Sequence, residues 1–152
     1  VLVSAVDCRC DSSSHAGGNC PPRYKTRKCA FQLAIAEVKL TDFTVGRGGI
    51  TDGVRLFDSE GTACFTAPEC HIVEKDGYDP RPTDIWSIGV CLYLFCDEGR
   101  LPFYGQSELE IQIASKQNEL KIPAHFSAEL KEVISATLNK EPSKRPTAEG
   151  LL

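Results

Sequence analysis

Hydrophobic positions change their spacing several times along this chain. In "AEVKLTDF" (36–43), Val38 and Leu40 alternate with Lys39 and Thr41, which predicts a short half-buried strand. Residues 44–66 carry five glycines among mixed polar groups, so a long loop is expected there; loops of that length in compact domains are usually functional or mobile. "PRPTDIWSIGVCLYLFC" (80–96) then offers Thr83 as an N-cap and a run that is apolar nearly all round, the pattern of a helix buried on every side. "SELE" (107–110) reads as a capping box, with Ser107 accepting from the Glu110 amide and Glu110 reaching back, and it opens a helix to about Gln117. "FSAELKEVISATL" places Leu130, Val133, Ile134, Thr137 and Leu138 on one face of a helix capped by Ser127. Pro142 and Pro146 bound the next turn, and Thr147 is placed to cap one more. Residues 1–33, rich in Ser, Gly, Pro and Cys, show neither period and are expected to be of low order. The expected organisation is a low-order or foreign segment over 1–33 and one partial domain over 34–152.

Composition narrows the function classes. The formal net charge is −4 and there is no long basic run, which argues against nucleic acid as a partner. The most apolar stretch, 85–96, is too short to span a bilayer, and no secretory signal is recognisable, so no membrane role and a cytoplasmic location are expected. The chain begins with Val and contains no Met, which points to a native start lying elsewhere. Of eight cysteines, Cys64, Cys70, Cys91 and Cys96 sit in apolar patterns and read as small hydrophobes. Cys8, Cys10, Cys20 and Cys29 lie near His15, but their spacing lacks the paired C-x₂-C knuckles of a strong zinc site.

"GTACFTAPEC" (61–70) poses the chemical question: a glycine turn, a lone threonine, then a proline followed by a carboxylate among apolar residues. Four stretches answer it together. "KLTDF" (39–43) resembles the strand and Asp-Phe of the protein-kinase D-F-G motif. "GTACFTAPE" resembles the end of the activation loop, "TDIWSIGVCLYLF" the central helix of the large lobe, and "LNKEPSKRP" (138–146) the L-x-x-x-P-x-x-R-P element. The four occur in family order and cover about 34–152. Within the family, "GTACFTAPEC" and "GVCLYLF…GRLPF" look most similar to the calcium/calmodulin-dependent kinase kinases and their plant relatives.

The resemblance implies a mainly α fold: the C-terminal lobe of a Ser/Thr kinase, with a short strand pair and an activation loop and without the small lobe. It implies ATP and Mg²⁺ as cofactors, a protein substrate, and a role in signalling. Carried over by motif, Asp42 would hold Mg²⁺ and Thr62 would orient the catalytic base. Asp84 would hold the catalytic loop, and Glu69 would pair with Arg145. Trp86 reads as core packing. Asp58, three residues before Gly61, stands where many such kinases are phosphorylated, so its fixed charge substitutes for the phosphate or is simply solvated; Ser59, Thr51 and Thr62 are neighbouring modification candidates. The resemblance also has gaps. The sequence contains no Gly-rich loop, no V-A-I-K lysine and no H-R-D-x-K-P-x-N loop, and Thr44 stands where the motif glycine belongs, stiffening that hinge. Residues 1–33 are therefore foreign sequence or a divergent replacement, and the 152 residues alone are expected to be inactive. The rival reading is a non-catalytic scaffold that binds a regulatory protein through the Ser107–Gln117 helix.

Overall fold

The computed structural model describes residues 29–32, 37–40, 46–59, 61–71 and 75–151. Strand β1 (Cys29–Gln32) pairs antiparallel with β2 (Glu37–Leu40), in the register Cys29 with Leu40 and Gln32 with Glu37. β2 falls inside the stretch whose alternation predicts a strand. β1 does not agree with the sequence reading, which assigns no element before residue 34. A hairpin strand needs only a partner of matching register, and four residues are too few to display a period. Cys8, Cys10, Cys20, Asp42 and Thr44, with every expectation attached to them, lie outside the described residues.

Helix α1 (Pro68–His71) is a single turn, and the chain then builds α2 (Pro80–Cys96), α3 (Glu108–Gln117) and α4 (Ala128–Thr137). α2 starts one turn earlier than the sequence suggests. Asp79, not Thr83, is its cap, accepting from the Arg81 amide at 3.0 Å. Pro80 and Pro82 are tolerated there because first-turn amides have no helical acceptor. Thr83 is buried in the helix and bonds back to the Pro80 carbonyl at 2.6 Å.

Nor is α2 buried on every side. Trp86, Val90 and Leu94 form its inner face, whereas Ile88 and Phe95 stay 40% and 49% exposed. Composition alone cannot assign a face when every face is apolar. Where α2 meets α4, Gly89 supplies the clearance: a Cβ there would stand 2.8 Å from Thr137 Cβ and 3.0 Å from Leu138 Cδ2. α4 buries Ile134, Thr137 and Leu138 as its periodicity predicts, but Val133 is on the rim. The caps of α3 and α4 are as expected, Ser107 accepting from Glu110 N and Ser127 from Leu130 N, each at 3.2 Å. The return bond of the capping box is displaced by one residue: the Glu110 carboxylate accepts from Gln106 N at 2.7 Å. Thr147 caps the final 3-10 turn (Glu149–Leu151) through Gly150 N.

One core joins these helices to the 61–71 segment. Cys64, Phe65, Ala67 and Cys70 are buried with Trp86, Phe103, Ile111, Phe126 and Ile134. Cys91 is also buried and Cys96 only partly so; none of the four is in a disulfide.

Candidate functional site

The threonine and the carboxylate of "GTACFTAPE" are held apart by a rigid connection. Gly61 has φ +117°, a left-handed conformation that a side chain would resist. Thr62 then leads into a 3-10 turn, Ala63–Phe65, closed by Phe65 N to Thr62 O at 2.9 Å. The Thr66 hydroxyl also donates to that carbonyl, at 3.2 Å. The base of the turn is fixed from α2, where the buried Ser87 hydroxyl donates to Phe65 O at 2.9 Å. Thr62 itself remains exposed and its hydroxyl makes no capping bond. A buried base with a solvent-facing hydroxyl suits a group that must meet something outside the core.

Glu69 and Arg145, 76 residues apart, form a two-pronged ion pair. Arg145 Nη1 donates to Oε1 at 2.6 Å and Nη2 to Oε2 at 2.8 Å. The guanidinium is fully buried and the carboxylate 17% exposed. Two further donors are used: Nη1 to Pro82 O at 2.9 Å and Nε to Asn139 O at 2.8 Å. A buried ion pair is favourable only when its leftover hydrogen-bonding capacity is largely met, and here four of the five guanidinium N–H groups have partners. Arg145 also lies 5.0 Å from the centroid of Trp86, which stacks on Phe103 at 5.5 Å. Thus one residue ties the foot of α1, the first turn of α2 and the 138–146 element together.

Lys140 joins this assembly and was not legible in advance. Its Nζ lies 3.6 Å from the Phe103 ring centroid and donates to Ser115 O on α3. Burial, and then the nearby Arg145 charge, lower its pKa to about 8. Burial also pushes Cys64 up to about 11 and Cys70 up to about 12, the latter aided by the Glu69 charge. His71 is held below its ordinary value by burial, against a hydrogen bond to Thr66 and the Glu69 charge.

The loop before Gly61 is pinned to the chain ahead of α2. Leu56 and Tyr78 exchange backbone bonds of 2.9 and 3.0 Å, and the Tyr78 hydroxyl donates to Asp58 O at 2.6 Å. Gly77 (φ +66°) permits the approach, since a Cβ there would stand 2.6 Å from Leu56 O. Arg81 bridges Asp79 and Asp52. Asp58 is not merely solvated: its carboxylate pairs with Arg47, a basic partner inside the same loop. Ser59 beside it is exposed. Asp84 sits half-buried in the second turn of α2. Asp42, on which the Mg²⁺ expectation rests, is outside the described residues. Those residues contain no group of three or more His, Cys, Asp or Glu suited to a metal, and no helix long and apolar enough to cross a membrane.

Comparison with known proteins agrees with this arrangement. A family model described as the protein kinase domain matches residues 31–152. The RAC-beta serine/threonine-protein kinase A of Xenopus laevis is 37% identical over 109 residues, covering 71% of this chain and 21% of that protein. The human RAC-beta serine/threonine-protein kinase is 35% identical over 109 residues, again 71% of this chain and 22% of its own length. Serine/threonine-protein kinase GRIK2 of Arabidopsis thaliana is 35% identical over 114 residues, 75% of this chain and 28% of its own length. The chain thus spans between a fifth and three-tenths of the relatives it matches.

Proposed function

Because the chain belongs to the protein kinase domain family, we propose that it is the C-lobe portion of a Ser/Thr kinase that transfers the ATP γ-phosphoryl group to protein substrates. The observation that carries the reading is the Glu69–Arg145 pair with its carbonyl partners. It fixes the foot of the segment that presents Thr62. In phosphoryl transfer the protein contributes mainly positioning and charge stabilisation, so a rigid support under the substrate-facing segment serves that chemistry. Thr62 is the residue proposed to orient the base, and Asp84 supports the loop that carries it. ATP and Mg²⁺ are the cosubstrate and metal the family supplies, with Asp42 as the proposed metal ligand. The nearest functional group within the family is proposed to be the calcium/calmodulin-dependent kinase kinases, acting in the cytoplasm.

Asp58 has a regulatory part in this proposal. A phosphate at such a position brings −1.5 to −2 charge and three acceptor oxygens; Asp58 supplies a single fixed charge, paired within the loop to Arg47. The complete kinase is therefore expected to be active without loop phosphorylation. The experiment is radiolabel transfer from ATP, by the 152-residue chain and by the protein extended to include an H-R-D loop and small lobe. Transfer by the extended protein alone, surviving phosphatase and lost in Thr62→Val or Asp42→Ala, is the expected outcome. No transfer by the extended protein overturns the kinase reading; activity abolished by phosphatase overturns the role of Asp58.

One observation favours a scaffold as the second reading. α3 exposes Leu109 and Ile113 one turn apart. A groove of about 620 Å³ lies beside its C-terminal end, between Phe103, Tyr104, Gln117, Asn118, Glu119 and Lys121. That surface suits a regulatory protein whether or not the complete enzyme is catalytic.

A further inference from the structure

Lys140 is a cation set among rings, a carbonyl and a second cation. It is half-buried in the 138–146 element. Its Nζ lies 3.6 Å from the Phe103 centroid and 5.5 Å from that of Trp86, and Arg145 stands 5.0 Å from the same Trp86 ring. Its one hydrogen bond among the described residues goes to Ser115 O. That carbonyl is an orphan of α3: Asn118 N closes the helix on Ala114 O, one residue short of it.

Among the described residues no carboxylate pairs with this charge. Glu141, next in the chain, is held by Lys144 Nζ at 2.6 Å and by the Ser143 hydroxyl at 3.0 Å. Glu69 is taken by both Nη atoms of Arg145. The ring faces and the α3 carbonyl favour an ammonium, whereas burial and the Arg145 charge favour the free amine. Burial, and then Arg145, bring the pKa down to about 8. An amine desolvated beside a second cation is the usual way in which a lysine becomes a nucleophile.

We propose that Lys140 is a nucleophilic lysine and a covalent modification site for small activated acyl donors of the acyl phosphate class. The uncharged Nζ attacks the carbonyl carbon and a C–N bond forms. The C–O bond to phosphate breaks, inorganic phosphate leaves with the electron pair, and the surplus amine proton passes to solvent. The amide product keeps one N–H, enough for the Ser115 carbonyl, and no longer repels Arg145. The inference does not rest on the kinase reading.

At about pH 7.5, an amine of pKa about 8 is free in about a quarter of molecules, against about one in a thousand for an ordinary lysine. A less basic amine is also a weaker nucleophile, and a slope of about 0.4–0.5 takes back about tenfold of that roughly 200-fold gain. Half-burial slows approach further, so a lead of about fivefold over an exposed lysine is expected.

The probe is limiting acetyl phosphate against the full 152-residue chain, with acetylation of each lysine quantified by mass spectrometry. At about pH 7.5, Lys140 should outpace the exposed Lys116 and Lys121 by at least about fivefold. Its rate should level off above about pH 8, while theirs go on climbing. Denaturing urea should erase both differences, because the folded surroundings create them. A Lys140 level with or slower than the exposed lysines would overturn the inference. So would a rate that climbs in parallel with theirs to about pH 10, or a lead that persists in urea.

Discussion

Replacing Arg145 by alanine removes a cation that is fully buried and bonded to three groups from different parts of the fold. Glu69 keeps its charge but loses its partner, in a position only 17% exposed. The Pro82 and Asn139 carbonyls lose their donors at the same time. Breaking a buried pair from one side costs about 3–5 kcal/mol, because the surviving charge is left desolvated. That is a large share of the roughly 5–15 kcal/mol that holds a domain together. With a urea slope of about 2 kcal/mol per M, the unfolding midpoint should fall by about 2 M. Arg145→Lys should recover only part of the loss, since an ammonium cannot match both carboxylate oxygens in one plane. Adding Glu69→Gln to Arg145→Ala should restore some stability by removing the orphaned charge. A midpoint shift under about 0.5 M, or a double variant as much weaker again than the single, would refute the reasoning.

Other outcomes follow from the same packing. Gly89→Ala sets a methyl 2.8 Å from Thr137 Cβ, so despite better helix propensity it should destabilise by about 1–3 kcal/mol; a lower melting temperature, partly regained with Thr137→Ala, checks it. The buried thiols predict alkaline weakness: Cys64 and Cys70 keep their protons to about 11 and about 12, whereas unfolded thiols release theirs near 9.0. Their contribution is complete below pH 9 and is lost as pH rises through the folded values. Lys140, lowered to about 8 from 10.5, works in the opposite sense, adding stability between those two values. Urea midpoints measured from pH 8 to 11 should therefore fall less steeply in Cys70→Ala than in the parent; an unchanged slope would remove the thiols from the account.

How much was visible in the sequence depended on whether a signal was local. Caps at Ser107 and Ser127 were legible because the hydroxyl and the backbone amide that donates to it lie three residues apart. The start of α2 was misplaced because three first-turn cues compete within five residues, and Asp79 wins by preceding a proline whose missing N–H costs nothing. The one-sided burial of α2 was illegible because every face is apolar. Glu69 with Arg145 was recoverable only through family resemblance, since nothing local joins residues 76 positions apart. The partner of Asp58 and the stacking of Lys140 on Phe103 had no sequence signal; both depend on loop paths that only tertiary structure fixes.

Arg145 also says something about the order in which this chain assembles. Each bond that it makes has a different reach: 6 residues to Asn139, 63 to Pro82 and 76 to Glu69. Closing a long loop costs chain entropy before any contact repays it, so the shortest bond can be made first and the Glu69 bonds last. The guanidinium then acts as a late clasp on a fold whose helices have already met. A contact made that late does little to speed folding and much to slow unfolding. Position 145 therefore governs the lifetime of the folded chain more than the speed at which it is reached.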